Sequence, residues 1–171
     1  MLATLILIAT TCIVSFVAFR NPKAGHDLVM WPPAVTKQKQ YWRLLTYGFV
    51  HADTQHLLFN MITLYFFGQV IEQILSQYIG EGGFVLVYLG GLLVSILPSY
   101  VRNRDNANYM SLGASGAVSA VLFAFILIQP WATILVFFIP MPAIIYAVAY
   151  VGFSIYMERR GNDNINHSAH L

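Results

Sequence analysis

From Met1 to Phe19 the chain is almost unbroken apolar sequence, relieved by single hydroxyl residues such as Thr10, Thr11 and Ser15 and closed by Arg20. That length crosses a bilayer as a helix. Similar runs follow from about His56 to Leu75, from Phe84 to Val101, from Gly113 to Gln129 and from Ala132 to Met157. Only 9% of the 171 residues are charged and 58% are hydrophobic. A soluble domain carries about 25% charged residues and could not stay dissolved with so few. The expected fold is therefore all-α, a polytopic membrane helix bundle. It should hold five full transmembrane helices plus the start of a sixth, in a single domain over residues 1–171. The first run lacks the basic start and the cleavage site of a signal peptide, so it reads as a retained helix.

The connections carry less information. Asn21 to Val50 is a long loop with Pro22, Pro32 and Pro33, followed by Lys37, Lys39, Tyr41, Trp42, Arg43 and Tyr47. Prolines break helices, and aromatic and cationic residues suit the membrane–water interface, which makes this an interfacial connector. Gly90 and Gly91 would let the third span approach a neighbour closely. Gln129-Pro130-Trp131 is a tight connection, and Pro140 with Pro142 predicts a kink or break in the fifth span. Glu158 to Asp163 is a polar turn. Ile165 to Leu171 resembles the opening of a sixth helix, so the sequence is expected to be C-terminally incomplete. A formal charge of +2 is too small for a nucleic-acid footprint. The lone Cys12 excludes an internal disulfide and a cysteine zinc site.

Alternating spans put the starts of the second, fourth and sixth helices on one side of the membrane. Those starts carry His56 and Asn60, then Ser115, then His167 and His170. Polar groups within a span are costly and mark function by default. Together they suit acyl transfer. A serine hydroxyl needs a base, usually histidine, to become a nucleophile. The tetrahedral oxyanion needs fixed donors, each worth about 3–4 kcal/mol. His56, Asn60 and the Ser115 N–H are candidates. No aspartate lies inside a span, which favours a Ser-His dyad over a triad. Against this, Gly113, Gly116 and Ala120 also read as helix-packing contacts, and they would let the fourth span approach the sixth. Ser111 reads as a loop residue, Ser119 as a helix-interface hydroxyl, His26 as loop, and His51 as a supporting donor or an interfacial residue. No His-Glu-x-x-His occurs, and no carboxylate stands at ligand spacing beside the histidines, so no metal is expected.

The order of these residues resembles the rhomboid intramembrane serine proteases along nearly the whole chain. Tyr41-Trp42-Arg43 is similar to the family's first-loop Trp-Arg. His51, then His56 to Asn60, resembles its second-helix histidine–asparagine motif, and Gly68 to Glu72 its Gly-x-x-x-Glu. Gly113-Ala114-Ser115-Gly116 matches the nucleophile motif, and Ala169-His170 the start of the sixth-helix Ala-His-x-x-Gly. The resemblance implies Ser115 as nucleophile and His170, rather than His167, as base. It implies an oxyanion hole of His56, Asn60 and the Ser115 N–H, supported by His51, Gly113 and Gly116. Trp42 and Arg43 would sit in a first loop partly within the membrane, and Gly68 and Glu72 would be structural. The partners implied are transmembrane protein substrates within the lipid bilayer, cleaved near its surface with no metal and no cofactor. Where many members carry an aromatic four residues after the nucleophile, this chain has Ser119.

All nine Lys and Arg residues lie in or beside the first, third and fifth loops. The positive-inside rule alone puts that side in the cytoplasm. The resemblance puts it outside, giving a multi-pass protein of the bacterial inner membrane whose active site opens to the extracytoplasmic side. Two other classes compete: an inactive relative that binds membrane proteins without cleaving them, and a small channel subunit using His and Asn as a polar path. The presence of both Ser115 and His170 argues against the inactive relative, and the channel reading gives no reason for a serine flanked by glycines.

Overall fold

The computed structural model describes residues 1–136 and 138–160, with side chains as far as residue 156. It is mostly helical. Helix α1 spans Leu2–Arg20, α5 Thr54–Ile79, α6 Gly83–Arg102, α7 Ser115–Ile128 and α8 Ala143–Arg160. Of these, α1, α5 and α6 are long and apolar enough to cross a membrane, and α7 and α8 are shorter apolar helices. Large apolar side chains point outward from α1 (Ile6, Ile13, Phe16) and from α5 (Leu58, Ile62, Phe66). That is the surface of a bundle solvated by lipid.

The stretch expected to be an interfacial loop is folded. It forms α2 (Pro22–Leu28), α3 (Pro32–Lys37), α4 (Arg43–Thr46) and a 3₁₀ turn at Tyr47–Phe49. Its prolines start helices here instead of breaking them. Pro22 follows Asn21, whose Oδ1 accepts from the Ala24 N–H at 3.2 Å, and Pro32 and Pro33 open α3. A proline at a helix's first turn loses nothing, since its missing N–H would have had no partner within the helix.

The fifth apolar run also differs from expectation. The break expected at Pro140 and Pro142 is there, but the part before it is not helix: an antiparallel hairpin pairs β1 (Thr133–Val136) with β2 (Ile139–Pro142), and α8 begins at Ala143. Pro140 and Pro142 push Ile139 and Met141 into extended backbone, and β-branched Thr133, Ile134 and Val136 fill three of the four positions of β1. The helix then continues through Arg160, so the polar turn expected from Glu158 is helical at its start.

Helix α7 lies against both α5 and α6. Leu64, Ile71, Phe84, Tyr88, Leu92, Ile96 and Val121 are fully buried around it. At Gly91 of α6, a Cβ would come within 3.0 Å of the Ala120 Cβ and 3.1 Å of the Ala117 Cα, whereas Gly90 faces open space. Ala120 thus serves the α6–α7 contact. In the second half of α5, Gly68 admits α1: a Cβ there would stand 3.0 Å from the Thr4 Cγ2. One turn on, Glu72 accepts from the Ala3 and Thr4 N–H groups at 2.9 Å each and from the Thr4 hydroxyl at 2.6 Å. The carboxylate thereby caps the first turn of a neighbouring helix.

Candidate active site

Ser115 is the first residue of α7, so the turn that precedes it decides where its hydroxyl stands. Gly113 has φ +113, a conformation L side chains rarely adopt, and a Cβ there would lie 2.7 Å from the His56 Cε1 and 3.0 Å from its Nε2. The first glycine of the Gly-x-Ser-Gly run is therefore required twice, for its backbone and for the imidazole that lies over it.

The surrounding chain pins this turn at successive residues. Met30 and Ser111 exchange two backbone hydrogen bonds of 3.0 Å, and the Gly113 N–H donates to the Tyr47 carbonyl at 3.0 Å. The Ala114 N–H donates to the His51 Nε2 at 3.2 Å. Tyr47 is itself buried, and its hydroxyl donates to the Leu92 carbonyl at 2.7 Å; burial pushes that hydroxyl up to about 12. His51 is buried, with Ser15 Oγ 3.0 Å from its Nδ1. Burial, reinforced by the neighbouring His56, drives its pKa down to about 3. It is a neutral ring at any working pH.

His56 and Asn60 come from the start of α5, which Asp53 caps by accepting from the His56 N–H at 2.7 Å. The His56 ring stands 5.0 Å from that of His51, edge to face. Asn60 is buried and gives one amide hydrogen to the His56 carbonyl at 2.9 Å. An amide has two, and the second can point at a ligand. A cleft of about 150 Å³ opens between α5, α7 and α8, lined among others by Asn60, Thr63, Ser115, Ser119, Tyr146 and Tyr150. Tyr146 and Tyr150 stack with centroids 5.6 Å apart, and the Ser119 Oγ lies 3.4 Å from the Tyr150 hydroxyl. At the position where the resemblance expects an aromatic, Ser119 thus meets one supplied by α8.

The structure brings Ser115, Gly113, His51, His56 and Asn60 together, and Gly116 is buried in the same first turn of α7. Gly68 and Glu72 lie further along α5, in its second half. Trp42 is exposed, but Arg43 is buried within the first loop. Its guanidinium donates to Gln40 at 2.6 Å and to the His26 and Val29 carbonyls at 2.6 and 2.8 Å, so it knits the loop together. His167 and His170 lie outside the described residues. Among the described residues, no group of three His, Cys, Asp or Glu could hold a metal ion. Sequence reasoning missed Tyr47, Ser15 and Met30. Two of them act through backbone atoms, which leave no mark in the side-chain pattern.

A bundle of apolar helices that keeps a serine and an asparagine on a cleft, with two histidines packed behind the serine's turn, defines an integral membrane protein with a polar site in its interior. The chain belongs to the rhomboid family: the Rhomboid domain matches residues 38–171. It is 35% identical over 144 residues to RHOMBOID-like protein 12, mitochondrial, of Arabidopsis thaliana, an alignment covering 75% of this chain and 42% of that protein. It is 29% identical over 153 residues to Putative rhomboid protease YdcA of Bacillus subtilis (strain 168), covering 86% and 72%. With Rhomboid protease GluP of the same organism it shares 36% over 87 residues, covering 51% and 16%. The chain thus spans less than half the length of the plant relative.

Proposed function

We propose that residues 1–171 form one rhomboid-like transmembrane domain that acts as an intramembrane serine endopeptidase on membrane-protein substrates, at peptide bonds in or near their transmembrane segments. The observation that carries the reading is that Ser115 and Asn60 line one cleft while the His56 ring lies over Gly113, two residues before the serine. Ser115 Oγ attacks the scissile carbonyl carbon and passes its proton to His170. The oxyanion receives hydrogen bonds from His56, from the second Asn60 amide hydrogen and from the Ser115 N–H. The C–N bond then breaks as the proton moves to the leaving amine, and water hydrolyses the acyl-enzyme by the same route in reverse. The cleft opens to the extracytoplasmic side.

A fluorophosphonate probe applied to the full-length protein in detergent tests the chemistry. Labelling should vanish in Ser115→Ala and fall steeply in His170→Ala. Equal labelling in Ser115→Ala would remove the nucleophile assignment. An unlabelled wild type would favour the non-cleaving relative that binds membrane proteins. For orientation, Lys37→Cys in a Cys12→Ser background should react with an impermeant maleimide on intact cells; protection there would invert the topology.

A further inference from the structure

Ser15 sits in the last third of the first apolar helix, fully buried, far in sequence from every residue of the nucleophile motif. Its hydroxyl donates to the Phe49 carbonyl at 2.9 Å and lies 3.0 Å from the His51 Nδ1. On the other side of that ring, the Ala114 N–H reaches Nε2 at 3.2 Å. The hydrogens in this row can be placed by elimination. A backbone N–H can only donate, so Nε2 is bare. A neutral imidazole then carries its hydrogen on Nδ1. That hydrogen points at Ser15 Oγ, whose own hydrogen is committed to the Phe49 carbonyl. Each of the three donors has one acceptor. The opposite tautomer would set Nε2–H against the Ala114 N–H and leave Nδ1 competing with Phe49 for the serine hydrogen.

We propose that Ser15 is a positioning residue for the nucleophile: by accepting the His51 Nδ1–H it fixes the angle of that ring, and so holds the Ala114 N–H and with it the first turn of α7. The role rests on the protease reading of Ser115. It also reassigns His51, whose two ring nitrogens are both engaged and which therefore supports the oxyanion hole by placement, not by donation. His51 in turn backs His56 at 5.0 Å, so the row reaches both the nucleophile and the proposed oxyanion donor.

Two readouts on the full-length protein in detergent separate this role from the protease reading. Nitrogen-15 NMR of histidine-labelled protein, with the His51 signal assigned by its loss in His51→Gln, should show hydrogen on Nδ1. In Ser15→Ala that hydrogen loses its acceptor while Nε2 keeps the Ala114 N–H, so the His51 Nδ1–H signal should shift and its hydrogen exchange faster. Fluorophosphonate labelling of the same variant should lose about ten- to a hundredfold in maximal rate, at an unchanged half-saturating probe concentration. Because Ser15 has no spare room, Ser15→Cys serves as a second variant, and its weaker acceptor should give an intermediate rate. An Nε2–H tautomer in the wild type, or an unchanged labelling rate in Ser15→Ala, overturns the proposal. Nδ1–H in a wild type that never labels would instead overturn the protease reading of Ser115 and leave the row of hydrogen bonds standing.

Discussion

Toward the first loop, the approach to α7 is held by backbone hydrogen bonds at Ser111, Gly113 and Ala114 and by the buried ring of His51. Toward α8, the described contacts are of another kind: a 3.4 Å approach of two hydroxyls, stacked tyrosines and a cleft of about 150 Å³. Backbone ties at these three positions restrain where Ser115 can stand. Ring and hydroxyl contacts beside a cleft can rearrange at small cost. A hydrolytic site needs both, a nucleophile that does not move and a side from which a chain can reach it. Here the two requirements fall on opposite flanks of a single helix.

The sharpest way to break this contrast is Gly113→Ala. The new side chain meets both an unfavourable φ and the His56 ring, and should cost about 3 kcal/mol in thermal unfolding. Labelling should drop by about a hundredfold or more, since nucleophile and oxyanion donor move apart. Next comes acidification. His51 takes up a proton only near pH 3 in the folded protein but near 6.5 when unfolded. Between those values the unfolded chain binds more protons, so stability falls as pH is lowered from about 6.5 toward 3. Melting curves in detergent should show that slope in the wild type and a shallower one in His51→Gln. Tyr47→Phe keeps the carbonyl that holds Gly113 but loses the bond to Leu92, and should cost about 1–2 kcal/mol with labelling nearly intact at low temperature. The smallest effect is expected on the open flank. Ser119→Ala removes only a long contact and should change stability by less than about 0.5 kcal/mol, shifting the half-saturating probe concentration instead. If Ser119→Ala destabilises as much as Tyr47→Phe, the two flanks are equally rigid and the contrast fails.

Much of the bundle was legible because lipid imposes a simple code: long apolar runs become helices, and the residues that violate the code mark the site. His56, Asn60 and Ser115 stood out for that reason. The code fails where apolar sequence is not helical. Thr133 to Pro142 is mostly apolar like the spans, and its strand character lies in the spacing of two prolines and in β-branched neighbours. It failed again in the first loop, where Pro22 and Pro32 start helices and Arg43 binds carbonyls from inside. Tyr47 was counted with the interfacial aromatics although its carbonyl and buried hydroxyl tie α6 to the Gly113 turn. Ser15 looked like one of several hydroxyls that a membrane helix tolerates. Only the tertiary arrangement shows which hydroxyl faces a histidine.

The carboxylate of Glu72 also sets a length. It grips α1 at Ala3 and Thr4, and Ser15 lies about three turns, roughly 16 Å, further along the same helix. Sliding α1 by one residue moves every later side chain by about 1.5 Å along the axis and about 100° around it. With the first turn held by the second half of α5, Ser15 can arrive beneath His51 only if the number of residues between them is kept. The first helix thus works as a ruler, with its zero at Glu72 and its mark at the turn before Ser115. A single residue inserted between Thr4 and Ser15 would leave one of those two ends unmatched.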